Sequence, residues 1–185
     1  MTRIVAGKAK GRRLAVPPRG TRPTSDRARE ALFSSLAGLI DLDGSRVLDL
    51  FAGTGAVGLE ALSRGASAVS FVESDRAVCE ILRRNVDTVA LPGAEINRRP
   101  AAAYLVGAGA DEPFDLVFAD PPYAFGDEPL AVLLSTLSTP QWLAESAVVV
   151  VERSARGSEP NWPESIETVK QKRYGEGMLW YGRRR

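Results

Sequence analysis

The apolar positions of this chain fall in short blocks, separated by joints rich in glycine, proline and charge. Arg46-Val47-Leu48-Asp49-Leu50-Phe51 and Phe114-Asp115-Leu116-Val117-Phe118-Ala119 are two such blocks, and Val148–Val151 is an unbroken β-branched run. Each has the length and composition of a strand buried on both faces. The same reading predicts further strands at 68–73, 94–98, 166–173 and 177–183, with the Val148–Val151 strand spanning 146–152. Helices are predicted from a cap at Thr24, Ser25 or Asp26 to about Leu39, and over 59–63, 75–90, 101–106 and 128–137. The Ala28, Ala31, Leu32, Leu36 stripe of the first helix faces a core, and Gly175-Glu176-Gly177 turns a terminal hairpin. Strand–helix alternation ending in a hairpin predicts an α/β fold. Its doubly wound, mostly parallel seven-stranded sheet has an antiparallel C-terminal edge. Upstream, Arg3–Lys8 and Gly11–Val16 read as two short β runs around a Gly-Lys-Ala-Lys-Gly turn, a small hairpin arm joined on by Pro17–Pro23. This divides the chain into a basic hairpin and linker, 1–23, and a main domain, 24–185.

Chemistry concentrates where strands end. Asp120-Pro121-Pro122-Tyr123 follows the Phe114–Ala119 strand, and in open α/β sheets ligands bind at that end. The prolines stiffen the loop and remove two backbone donors. An ionised Asp only accepts, so Asp120 and the Pro121 carbonyl can together receive both hydrogens of one NH2 group. Tyr123 offers a face for a base to stack on. The loop suits a planar ring with an exocyclic amine.

A second motif follows the strand ending at Phe51. Gly53, Gly55 and Gly58 in Ala52-Gly53-Thr54-Gly55-Ala56-Val57-Gly58 spell G-x-G-x-x-G, and Glu73 closes the next strand, just ahead of Ser74. That is the pattern of an adenosine-containing cofactor site, in which glycines admit the ligand and an acid takes the ribose hydroxyls. Asp49, just before the loop, would repel a pyrophosphate but hold an ammonium group. The chain has no His and no Tyr followed four residues later by Lys, so the usual hydride-transfer groups are missing. An amine-shaped D-P-P-Y loop also has no task in a dehydrogenase. S-adenosyl-L-methionine, rather than a nicotinamide, is the expected cofactor.

These residues carry a resemblance. Val47–Gly55 and Asp120–Tyr123 resemble motifs of S-adenosylmethionine-dependent methyltransferases that act on nucleic-acid amino groups. Arg3-Ile4-Val5-Ala6-Gly7, Gly11-Arg12, and Arg22-Pro23-Thr24 through Arg27 and Arg29-Glu30-Ala31-Leu32-Phe33 narrow it to the bacterial 16S rRNA guanine-N2 methyltransferase family called RsmD. The resemblance runs over nearly the whole chain. It implies a Rossmann-like methyltransferase fold, with a catalytic loop of Asp120, Pro121, Pro122 and Tyr123. It implies a cofactor site of Asp49, Phe51, Ala52, Gly53, Thr54, Gly55, Glu73 and Ser74. Its substrate would be 16S rRNA or the small ribosomal subunit, with guanine 966 as the address. One departure stands out. Many such enzymes place Asp or Asn after the third strand for the adenine amine. Here Ile96-Asn97-Arg98-Arg99-Pro100-Ala101-Ala102 has no carboxylate, and the adenine contact stays unassigned. Two other classes stay open. D-P-P-Y also serves amino-methyltransferases of DNA adenine-N6 or cytosine-N4, although no inserted target-recognition domain is visible. A non-catalytic nucleic-acid-binding protein could keep the fold without turnover.

Composition fits one soluble domain of 185 residues, 44% hydrophobic and 25% charged. No apolar run approaches the roughly 18 residues of a membrane span, and no secretory h-region opens the chain. Cys79 is the single cysteine, read as a core residue in a reducing compartment, and a metal site is not expected. The expectation is a cytoplasmic monomer without membrane or metal partners. The net charge of +1 hides an uneven distribution: residues 1–30 hold nine Arg/Lys against two acids, and residues 170–185 hold six against one. Arg3, Lys8, Lys10, Arg12 and Arg13 are therefore candidate phosphate contacts. Arg98-Arg99 read as surface charge, and Arg183–Arg185 as either a solvated tail or a contact.

Overall fold

The computed structural model describes residues 2–17, 25–107 and 109–185. Most of the predicted linker, with Arg19, Arg22 and the alternative cap Thr24, lies outside the described residues.

In chain order the elements are β1 (Thr2–Arg3), β2 (Arg13–Leu14), α1 (Asp26–Leu36), β3 (Arg46–Leu50), α2 (Ala56–Ser63) and β4 (Ala68–Glu73). Then come α3 (Arg76–Val89), β5 (Ala94–Arg98), α4 (Ala101–Leu105), β6 (Phe114–Ala119), α5 (Asp127–Leu137), β7 (Leu143–Ser154), β8 (Ile166–Tyr174) and β9 (Gly177–Arg184). The main sheet has the order β5-β4-β3-β6-β7-β9-β8. β3 pairs in parallel with β4 and β6, and β6 with β7, while β9 lies antiparallel between β7 and β8. The doubly wound seven-stranded sheet with its antiparallel C-terminal strands is thus as expected. The order reverses between β3 and β6, which places a crevice between their C-terminal ends.

Alternation along the strands sorts the core. Val47, Phe71, Phe118 and Val150 pack on one face with Leu32, Phe33 and Leu36 of α1 and Leu59 of α2. Leu48, Val72, Ala119 and Val151 face the other way, onto Leu105 of α4 and Leu130, Leu133 and Leu134 of α5. Ser25 caps α1 by accepting from the Ala28 amide at 3.2 Å, and Asp75 caps α3 by accepting from Val78 at 2.9 Å.

Three boundaries in the main domain differ from the pattern by three residues, and others by one or two. α1 ends at Leu36, and a tight turn to Leu39 and Ile40 follows. α2 starts three residues early at Ala56, because Gly55 takes φ +80° and lets the helix begin inside the glycine loop. β7 starts at Leu143, since a register shift against β6 lets pairing continue past Ser146, which has φ +61°.

The N-terminal segment forms the expected antiparallel hairpin, with Thr2 opposite Leu14 and Arg3 opposite Arg13, over a shorter span than the predicted runs. Its strands are two residues each, and the rest wraps onto the main domain. The Val5 and Ala6 amides donate to the Glu60 carboxylate at 2.8 and 3.0 Å, and the Ala9 amide donates to Ser63 Oγ at 2.9 Å. Ile4, Ala9 and Leu14 are buried in the α1–α2 side of the core. A Cβ added at Gly7 would stand 1.8 Å from the Ser63 carbonyl oxygen, so only glycine permits this approach. Among the described residues no helix is long and apolar enough to cross a membrane.

Candidate active site

Four carboxylates gather at the C-terminal edge of the parallel strands. Glu73 ends β4, Asp49 is the fourth residue of β3, Asp120 follows β6, and Glu152 lies near the end of β7. Each sits an even number of positions after a residue of the α1–α2 face, so alternation carries all four to that face. Asp49 is in register with Phe71 and Phe118, two residues short of Glu73 and Asp120. It therefore lies deeper and is only 2% exposed.

The glycine loop is laced to these acids. The Gly53 amide donates to Glu73 Oε2 at 2.9 Å and the Asp75 amide to Glu73 Oε1 at 2.8 Å. The Gly58 amide, in the first turn of α2, donates to Asp49 Oδ2 at 3.0 Å. A Cβ on Gly58 would come within 2.3 Å of the Phe71 ring, so this glycine sets how closely α2 approaches β4. Phe51 turns the chain out of β3 with φ +60°. The loop also has a support that sequence reading missed: Asn85 of α3, buried, donates from Nδ2 to the Thr54 carbonyl at 2.9 Å and to the Ala15 carbonyl at 3.0 Å. Its Oδ1 accepts from the Ala15 amide at 2.7 Å.

The D-P-P-Y loop meets the glycine loop through aromatic rings. Phe125 packs edge-on against Phe51 with centroids 5.2 Å apart. Its amide donates to the Pro122 carbonyl at 2.8 Å, closing a turn around Tyr123. Arg153 clamps that turn from β7: Nη1 donates to the Phe125 carbonyl at 2.9 Å and Nη2 pairs with Asp127 at 2.7 Å. Tyr123 is left 82% exposed. A cleft of about 120 Å³ opens here, bounded by Asp120, Pro121, Tyr123, Glu152 and Arg153 among others. Phe125, Glu152 and Arg153 were not picked out from the sequence, although Glu152-Arg153 ends the Val148–Val151 run as Asp120 ends β6.

Burial and crowding shape the acids. Asp120 is raised to about 6 by burial. Glu152 is raised to about 7, first by burial and then by the charge of Asp120. Asp49 is pushed well above the ordinary carboxylate range by burial, with Asp120 and Glu73 adding to the rise and the Gly58 amide opposing it. Such a cluster favours a cationic or donor-rich ligand. The amide-laced glycine loop fits a cofactor: at Gly53, which has φ +55°, an added Cβ would find nothing within 4 Å, so this backbone faces open space. On β5, Asn97 Nδ2 is buried with no hydrogen-bond partner. Ser74 is exposed beside Glu73.

The candidate phosphate contacts lie apart from the cleft. Arg3, Lys8, Lys10, Arg12 and Arg13 are all exposed. Arg3 lies 3.6 Å from Asp26, and the Arg12 guanidinium donates to the Thr88 carbonyl at the end of α3. The Lys8-Ala9-Lys10 turn sits against Ser63, at the end of α2 far from the glycine loop.

The sheet order, the glycine loop over Glu73 and the D-P-P-Y cleft together define the Rossmann-like fold of the methyltransferases. The family described as Conserved hypothetical protein 95 matches residues 2–183. The chain belongs to that family, and with it to the RsmD group that its motifs resemble. It is 39% identical over 175 residues to ribosomal RNA small subunit methyltransferase D of Escherichia coli K12, covering 94% of this chain and 85% of that protein. It is 37% identical to the Haemophilus influenzae protein of the same name, over 94% of this chain and 89% of that one. The solved Escherichia coli protein yhhF matches with a TM-score of 0.86 at 37% identity, covering 98% of this chain and 97% of its own.

Proposed function

We propose that this protein transfers a methyl group from S-adenosyl-L-methionine to the N2 amine of a guanine in 16S rRNA, within the free RNA or the small ribosomal subunit. The observation that carries the reading is Asp120: a half-open carboxylate at the end of β6, in one cleft with Pro121 and Tyr123 and one ring contact from the glycine loop. The family relatives named for rRNA small-subunit methylation support the rRNA target. Guanine N2 and position 966 rest on the family resemblance.

The cofactor supplies an electrophilic methyl on a positive sulfur. Asp49 and the loop Phe51-Ala52-Gly53-Thr54-Gly55 hold its amino-acid end, with the buried Asp49 matched to an ammonium group. Glu73 and Ser74 take the ribose side, Glu73 keeping lone pairs free beyond its two amide contacts. Asp120 and the Pro121 carbonyl accept the two N2 hydrogens. This turns the nitrogen lone pair away from the ring and toward the methyl. The methyl would pass from the cofactor's sulfur to N2, and Asp120 or water would take the surplus amine proton. Catalysis here is positioning and charge stabilisation, without a strong base. Tyr123 stacks on the base, which a loop presents unstacked or a duplex must release.

Mass spectrometry of nuclease fragments of rRNA from a deletion strain tests the reading. One N2-methylguanosine should vanish at position 966. It should return with the wild-type gene and stay absent with Asp120→Ala. An unchanged rRNA methylation profile would remove the assignment.

A further inference from the structure

Glu152 is a carboxylate that the folded chain does not use. β6 and β7 run parallel with Ala119 opposite Val151. The next residues, Asp120 just past the end of β6 and Glu152 on β7, therefore follow a paired position, and the charge of Asp120 acts on Glu152. Both line the small cleft with Pro121 and Tyr123. Among the described residues, Glu152 has no hydrogen-bond donor and no cation in contact: its neighbour Arg153 is turned to Asp127 and the Phe125 carbonyl. Space has been kept for it on the far side. A Cβ on Gly177 of β9 would come within 2.9 Å of Glu152 Oε1. Two part-buried carboxylates held together repel each other, and leaving them unpaired costs stability with no return inside the protein. A ligand with several hydrogen-bond donors in a row would offset that cost.

We propose that Glu152 reads the ring nitrogen of the target base, accepting the N1–H of guanine while Asp120 and the Pro121 carbonyl take the adjacent N2 amine. The inference rests on the guanine-N2 reading above. Guanine carries its ring N–H directly beside an exocyclic NH2, so one edge presents three hydrogens to two carboxylates. Adenine N1 and cytosine N3 carry bare lone pairs beside their amines and would face Glu152 with like polarity. Uracil has a ring N–H but no amine. A second acid next to Asp120 thus converts a general amine clamp into one that selects guanine, and the specificity comes as much from repulsion of the others as from attraction.

The test uses 2-aminopurine, which keeps the N2 amine but has an unprotonated N1. 16S rRNA is ligated around a synthetic segment bearing either guanine or 2-aminopurine at the target and assembled into small subunits. Methyl transfer to each is then measured at about pH 8 with the whole wild-type protein and with Glu152→Gln, whose amide can turn its NH2 toward a bare N1. Wild type should favour guanine by about tenfold or more, and Glu152→Gln should shrink that preference several-fold while binding S-adenosylmethionine normally. A wild-type rate equal on the two substrates overturns the proposal, whether or not the variant folds. An unchanged preference in a folded Glu152→Gln, with both rates falling together, also overturns it and makes Glu152 a group acting on Asp120 alone. Failure of wild type to form N2-methylguanosine on the guanine substrate is a separate result that removes the guanine-N2 reading itself.

Discussion

At the scale of single residues, the site is governed by acids placed where water is scarce. Asp120 must be ionised to accept an amine hydrogen and later the surplus proton, and its proton affinity is raised to about 6 beside a Glu152 raised to about 7. Methyl transfer should therefore fall as pH drops through that range, over more than one proton step because the two acids share a field. A profile of kcat/KM that stays flat from pH 8 to pH 5 would contradict it. The same shift acts on stability with a definite sign. A carboxyl whose folded value lies above its ordinary 3.8 binds its proton more tightly in the native state. Stability is therefore lost as pH rises from about 4 to about 6, and the loss is complete above that. Asp120→Asn should raise stability at pH 8 by about 1–3 kcal/mol and leave it unchanged near pH 4. Denaturant melts at the two pH values check this, and equal effects at both would refute the burial argument. Asp49 and Asp120 were legible because each acid interrupts or follows an apolar run before a glycine or proline loop, and Glu73 because it closes the strand after the glycine fingerprint. Glu152 also closes an apolar run. It escaped because no glycine or proline follows it, and its meaning comes from standing beside Asp120, a neighbour that only the strand pairing reveals.

At the scale of elements, what matters is how loops are held. Arg153 reaches from β7 to the Phe125 carbonyl and Asp127, fastening the D-P-P-Y turn to the first turn of α5. Arg153→Ala should leave cofactor binding intact and lower kcat about 10–100-fold, because a misplaced amine acceptor is felt mainly in the transition state. Single-turnover rates with saturating substrate measure this, and an unaltered rate would show that the turn holds itself. The N-terminal segment is fastened by Glu60, which is fully buried and accepts from Val5, Ala6 and Arg64. Glu60→Ala strands those donors and should cost about 2–4 kcal/mol in urea unfolding. A loss below about 0.5 kcal/mol would mean that the segment is not docked. The strands and helices were largely legible from apolar spacing, since a parallel sheet buried on both faces writes itself as continuous runs. The N-terminal hairpin was legible too, from two short β runs around a Gly-Lys-Ala-Lys-Gly turn. Its docking was not: Ile4, Ala9 and Leu14 pack into the core, and the partners Glu60, Ser63 and Asn85 lie more than fifty residues away.

At the scale of the whole molecule, one edge collects carboxylates and the outer surfaces carry the cations. An acidic cleft attracts a sulfonium cofactor but repels a phosphate backbone, so RNA must be gripped by basic surface away from the cleft mouth. Two candidate basic surfaces lie among the described residues. Lys8, Lys10, Arg12 and Arg13 lie exposed on the docked N-terminal segment, with Lys8 and Lys10 at the far end of α2. Lys172 and Arg173 lie exposed on β8, which ends at the same edge as β6 and β7. If the N-terminal surface carries the RNA, changing its four cations to Ala leaves the fold and cofactor affinity intact. It should weaken binding of the small subunit and flatten the log–log salt dependence by about 0.7–0.9 for each phosphate that is no longer neutralised. Binding titrations at several salt concentrations read both quantities together. Unchanged affinity and slope would move the grip to Lys172 and Arg173. That outcome would place the bound RNA along the C-terminal hairpin, with only the target nucleotide entering the acidic cleft between Asp120 and Glu152.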